Sequence, residues 1–185
     1  SVSSMNKYLE CPVSFYFENI VRVPFVAAPA LIFGNAVHLA MKSLYDGYRL
    51  KKPLEFSEFY EIMSRYVIRN RSQMGEAEVQ RRLQLGKNVL TKAYFDYFPL
   101  SNKITLTEYK VKRVYVSGVP VKGDFDKLEF DGPLVTITDY KTGNAKEAIK
   151  HLSPPTEKEP YGGTHWRQAV TYKLIFDKLP ANEWR

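Results

Sequence analysis

Apolar residues recur at helical spacing through the first hundred positions. Met5, Tyr8, Leu9, Phe15 and Phe17 line up behind Ser3 or Ser4, either of which can cap a helix, and Cys11-Pro12 interrupts the run. After a loop containing Pro24 and Pro29, Phe33-Gly34 leads into Val37, Ala40, Met41, Leu44 and Tyr48, a helical stripe to about Leu50. Phe59, Met63, Tyr66 and Val67 mark a third helix. Val79, Leu83, Leu90, Tyr94 and Tyr97 mark a longer one that ends before Pro99. The period then shortens to two. Ile104 to Val116 reads as a strand, Ser117-Gly118-Val119-Pro120 as a turn, and the residues either side of Asp131-Gly132 as a hairpin, with Pro133 a complication. Beyond Gly143 comes a helical or irregular stretch with Lys146, Lys150 and His151. Pro154-Pro155, Pro160 and Gly162-Gly163 then predict a mobile surface loop, and a final helix starts near Thr164 with Ala169, Tyr172, Leu174, Ile175 and Phe176 apolar.

The hairpin carries the chemistry. Side chains two apart on a strand share a face, so Val135, Ile137, Asp139 and Lys141 point one way, and Asp124, Asp126, Leu128 and Phe130 share a face of the preceding strand. A two-residue turn at Asp131-Gly132 would set Asp126 opposite Ile137 and diagonal to Asp139, about 7 to 8 Å away. Two carboxylates and an ammonium then converge at the end of a half-buried apolar surface, where unpaired charge is costly. Two acidic ligands around a divalent cation, with Lys141 beside whatever the cation activates, account for them economically; a surface ion pair is the plainer alternative.

Other residues bear on that choice. Glu108 shares a strand face with Ile104 and Leu106 and is either an edge charge or a further acid. His38 neighbours the apolar stripe of its helix, one turn after Gly34, whose missing side chain would let a backbone or ligand come close. Arg65, Arg69, Arg71, Arg81, Arg82, Lys87 and Lys92 are a solvated face or a track for phosphates. Gln168 and Tyr172 lie one turn apart on one side of the last helix.

Composition narrows the classes. A chain of 185 residues, 44% apolar and 14% aromatic, can bury a core and is expected to be one domain. Its net charge of +7 favours a polyanionic partner. The single cysteine, Cys11, excludes a disulfide framework and a four-cysteine cluster within the chain, reads as a small buried hydrophobe, and points to a reducing, cytoplasmic setting. No apolar run approaches a membrane span and no phosphate loop of a nucleotide-driven motor is present. An opening at Ser1 without Met gives the impression of an excerpt from a longer polypeptide.

Taken in order, Ser-x-x-x-Tyr-x-x-Cys-Pro from Ser4, Phe-Gly-x-x-Val-His ending at His38, a strand Glu, Gly-x-Phe-Asp-Lys from Gly123, Asp-Tyr-Lys-Thr-Gly from Asp139 and Gln-x-x-x-Tyr from Gln168 resemble the RecB-like branch of the PD-(D/E)XK nuclease superfamily. The resemblance spans nearly the whole chain. It implies an α/β (α+β) restriction-endonuclease-like fold, a mixed central sheet flanked by helices, with residues 1–100 mainly helical and 101–185 carrying the sheet and catalytic hairpin. Carried over, His38 is the helix-borne metal ligand, Asp126 the first acid, Asp139 the second and Lys141 the signature lysine. Asp124 is the nearest rival to Asp126, Glu108 fits an additional acid, and the Tyr140 carbonyl is a further metal ligand. Gln168 and Tyr172 match a motif that supports the site and contacts DNA. Relatives such as AddB hold an iron-sulfur cluster through an early cysteine like Cys11 and three late ones; the late ones are missing up to Arg185, so no cluster is expected in this chain unless the full protein supplies them.

The resemblance therefore implies a Mg²⁺- or Mn²⁺-dependent deoxyribonuclease, the exonuclease module of a helicase-nuclease that processes DNA ends in recombination and repair. Its partners would be a single strand or duplex end and a helicase motor in the same polypeptide or a partner subunit, with no membrane. A catalytically silent DNA-binding or scaffold module is the alternative from another class. A ribonuclease or sequence-specific endonuclease would share the same chemistry.

Overall fold

The computed structural model describes residues 1–98 and 104–180, with the side chain of residue 104 excepted. Among the described residues, seven α-helices and three strands follow in the order α1 Val2–Glu10, α2 Pro12–Phe15, α3 Pro29–Arg49, α4 Phe56–Arg69, α5 Glu76–Lys92, β1 Ile104–Val116, β2 Val119–Asp131, β3 Leu134–Thr138, α6 Ala145–Lys150 and α7 Thr164–Phe176. This is the α/β class with a helical first half. The described sheet has three strands in the order β1-β2-β3, and β2 pairs with β3 antiparallel. Two compact units divide the chain, one from Ser1–Phe25, Lys110–Phe125 and Gly143–Arg185, the other from Val26–Tyr109 and Asp126–Thr142.

The second unit is built on α3, α4 and α5. Phe33, Val37, Leu44, Phe59, Met63, Val67, Val79 and Leu90 form its buried core at the positions the helical periodicity picks out. α3 begins earlier than the pattern predicts. Pro29 occupies its first turn because the ring fixes a helical φ and the missing N–H would be unsatisfied there anyway, while Ala28 before it is extended. At Gly34 a Cβ would lie 3.5 Å from Thr142 Oγ1, an ordinary contact, so no close approach dictates that glycine. α5 runs on through a π-helical turn, Ala93–Tyr97; Pro99 lies outside the described residues.

The hairpin between β2 and β3 pairs Asp131 with Leu134 and Leu128 with Ile137, two residues out of the register expected from a turn at Asp131-Gly132. The turn residues are Gly132 and Pro133. Gly132 takes φ +57 and proline's ring fixes a negative φ after it, the sign sequence of a type II′ turn, and Pro133 has no N–H to give a ladder. The face assignment survives, since a shift of two preserves the pleat. β1 and β2 are joined through Ser117 and Gly118, both at positive φ.

In the first unit Ser1, rather than Ser3 or Ser4, caps α1 by accepting from the Ser4 N–H. Ser4 instead donates its hydroxyl to Asn19. Cys11 is exposed, not buried: its Sγ caps α2 by accepting from the Ser14 N–H at 3.4 Å. Met5, Tyr8, Leu9 and Phe17 are exposed as well, so the apolar stripe of this segment is not a core face. The loop before α7 is pinned rather than loose. Ser153 O accepts from Gly163 N, and His151 O accepts from both His165 N and Trp166 N, at 2.9 to 3.1 Å. A Cβ on Gly163 would lie 2.2 Å from His151 O. Gly163→Ala is therefore expected to force the backbone apart and to destabilise by about 1 to 3 kcal/mol, read by chemical denaturation.

No helix among the described residues is long and apolar enough to cross a membrane.

Candidate metal centre

Three elements of the second unit supply the site. α3 presents His38, β1 presents Glu108, and β2 presents Asp126. One donor atom of each lies within 4.8 Å of the others. His38 Nδ1 is 3.5 Å from Glu108 Oε1 and 3.5 Å from Asp126 Oδ1. The other ring nitrogen, Nε2, sits 3.3 Å from the Tyr140 carbonyl. A carbonyl oxygen only accepts, so Nε2 carries a proton in this contact, and Nδ1 is the ring nitrogen turned to the two carboxylates.

Asp126 is buried and Asp124 exposed, which separates the two rivals for the first acid. Asp126 Oδ2 accepts from the Tyr140 N–H at 2.7 Å. Burial, with added repulsion from Asp139 and Glu108, outweighs that hydrogen bond and the attraction of His38 and pushes the Asp126 carboxyl up to about 6. One more step of the β2–β3 register, past the last pair Lys127 and Thr138, sets Asp126 across from Asp139. Asp139 itself is paired with Lys141 at 2.6 Å. The structure thus brings His38, Glu108 and Asp126 into one donor set, with Asp139 adding its field and Lys141 beside it. Tyr140, placed by the sequence as a carbonyl ligand, holds Asp126 with its N–H and faces His38 with its C=O. Its phenol is buried beside the Tyr45 hydroxyl, and burial raises its pKa.

Glu108 has φ +50, a left-handed conformation inside a strand, so strand alternation does not by itself set the direction of its carboxylate. Beside it Thr107 donates to Asp46 of α3 at 3.2 Å, tying β1 to the helix that carries His38. Strain of this kind, about 1 to 3 kcal/mol, persists where surrounding structure enforces it. Glu108→Gly is expected to leave stability within about 1 kcal/mol, because glycine accepts this φ but loses strand order. Mn²⁺ affinity, measured calorimetrically, is expected to fall at least about tenfold.

Gln168 Nε2 donates to the Tyr172 hydroxyl at 2.8 Å, and Tyr172 packs on Phe125 with ring centroids 5.0 Å apart. Gly123 of the Gly-x-Phe-Asp-Lys motif makes room for this helix: a Cβ there would lie 2.8 Å from Ile175 Cδ1. Part of the basic helical face is locally neutralised instead of being open to phosphates. Arg65 pairs with Glu61, and Arg81 and Arg82 both hydrogen-bond Glu78, drawing its carboxyl down to about 2. Arg82 also lies over the Phe33 ring, 5.4 Å from its centroid.

The donor set fits a divalent cation. Two carboxylate oxygens and one imidazole nitrogen suit Mg²⁺ or Mn²⁺, the histidine favouring Mn²⁺, and a cation would offset the burial, and the lesser repulsion, that raise the Asp126 pKa. Comparison with known families agrees: the model of the PD-(D/E)XK nuclease superfamily matches residues 1–183, and the chain belongs to that superfamily. Its members generally use divalent metals. No curated protein and no solved structure matches the chain.

Proposed function

We propose that this chain is a Mg²⁺- or Mn²⁺-dependent deoxyribonuclease. The observation that carries the reading is the convergence of His38, Glu108 and Asp126 next to the Asp139–Lys141 pair, in a chain matched along 1–183 by a nuclease family. The extent of that match also supports reading the chain as one nuclease domain.

Phosphodiester hydrolysis needs charge neutralisation on the phosphate, an in-line nucleophile and help for the leaving oxygen. A bound divalent cation would supply the first and lower the pKa of a water. His38 would bind through Nδ1, Glu108 and Asp126 through carboxylate oxygens, and Asp139 would complete the acidic set across the ladder. Tyr140 orients the ligands, its N–H fixing Asp126 and its C=O accepting from His38 Nε2. Lys141 is held by Asp139 with its side chain partly exposed, where it can orient the attacking water and stabilise the charge that develops on the phosphate. Gln168 and Tyr172, locked to each other, are proposed to support substrate binding.

The RecB-like ordering of the motifs supports an exonuclease role in DNA end processing beside a helicase motor, acting on a single strand or duplex end in the cytoplasm. The test is cleavage of end-labelled single-stranded and duplex DNA with Mg²⁺, Mn²⁺ or EDTA. Metal-dependent release of products from an end supports the reading. Salt-dependent binding without cleavage under any metal would leave a silent DNA-binding module instead.

A further inference from the structure

Lys127 follows Asp126 on β2 and is equally buried, yet the chemistry above gives it no task. Its Nζ is 2.9 Å from Glu129 Oε2, donates to the Tyr45 hydroxyl at 3.3 Å, and lies 4.9 Å from the centre of the Tyr45 ring. The side chains of Lys127 and Glu129 are only 10% and 14% exposed, so this is a nearly dry ion pair. Such pairs roughly break even against apolar residues of the same volume, because desolvation offsets the attraction. Stability alone does not explain its presence beside the donor set.

Geometry offers an explanation. Consecutive residues of β2 reach two points on α3: Asp126 meets His38, and Lys127 meets Tyr45 seven residues, or two turns, further along. The first of these contacts is loose at 3.5 Å and joins two groups that would have to turn toward a shared cation. The second is anchored by an ion pair, a hydrogen bond and a ring face at once, and Tyr45 is in turn wedged against Phe98 with centroids 5.5 Å apart. Resting on the metal-site reading above, we propose that Lys127, with Glu129 and Tyr45, is the positioning group that fixes the spacing between β2 and α3 and so holds Asp126 and His38 at ligating distance. Lys127 touches neither substrate nor metal; it acts through the strand that carries Asp126.

The test is Mn²⁺ affinity of the whole chain without nucleic acid, by titration calorimetry, alongside thermal melting. Lys127→Met combined with Glu129→Leu removes both charges of the pair together. This variant is expected to melt at or above the parent temperature and to bind Mn²⁺ at least about tenfold more weakly. Tyr45→Phe keeps the ring and removes only the hydroxyl, with a weakening of about threefold or more expected; it decides the matter if the double variant does not fold. Parent-like Mn²⁺ affinity in folded Tyr45→Phe and the folded double variant overturns the positioning role while leaving the nuclease reading intact. A parent protein that binds no Mn²⁺ overturns both.

Discussion

Asp126→Asn is expected to abolish metal-dependent cleavage and, at the same time, to make the metal-free protein more stable at neutral pH. The loss follows from removing the one carboxylate that meets His38, accepts the Tyr140 N–H and faces Asp139. A fall of at least about 10³-fold in turnover is expected, as for removal of a group that stabilises transition-state charge. The gain follows from its titration. The folded carboxyl sits at about 6, above the 3.8 of an unperturbed aspartate. Between those values the folded state holds more protons than the unfolded one, so the group's stability contribution is full below pH 4 and is lost as pH rises through 6. The difference of about two units corresponds to about 3 kcal/mol lost by the metal-free parent and not by the Asn variant. Urea denaturation in EDTA should show the two proteins equal near pH 4 and the variant ahead by up to that amount at pH 8. Adding Mn²⁺ should reverse the order, since only the parent gains binding energy, and Mn²⁺ affinity of the parent should rise with pH through 6.

Lys141→Met is expected to separate chemistry from binding. The ammonium lies against Asp139, and Met keeps the length of the side chain without charge. Turnover should fall about 10²- to 10⁴-fold, the range for loss of a positioned proton-transfer or charge-stabilising group. Mn²⁺ affinity should stay the same or tighten slightly, because Asp139 is released from its pair and the acidic field grows. Equal losses in Mn²⁺ affinity and turnover would mean that Lys141 shapes the metal site instead of serving the reaction.

Much of this site was legible in the residues. The histidine one turn after Gly34 is a statement about helix period that holds in α3, and Asp126 lies on β2 as the strand period expects, whereas β3 ends at Thr138 and Asp139 and Lys141 lie beyond it. The burial contrast between Asp124 and Asp126 was not legible, since both share a strand face and only packing separates them. The left-handed conformation of Glu108 was not legible, because nothing in Thr107-Glu108-Tyr109 announces a positive φ. The hairpin register slipped by two because Asp-Gly is a strong turn signal, whereas the following Pro133 moves the turn to Gly-Pro. Pro29 was read as loop, although proline also favours a first helical turn, and the helix behind it is long. Lys127 and Glu129 could have been found: opposite charges two apart on a strand share a face, and both lie beside the first acid. Tyr45 could not, because its partner is 82 residues away in sequence.

The account turns on His38, Glu108 and Asp126 sharing one cation. Crystals grown with Mn²⁺ and measured for its anomalous scattering test this most directly. The account predicts a single strong peak within ligating distance of His38 Nδ1 and of one oxygen each from Glu108 and Asp126; a peak elsewhere, or none at millimolar Mn²⁺, would contradict it.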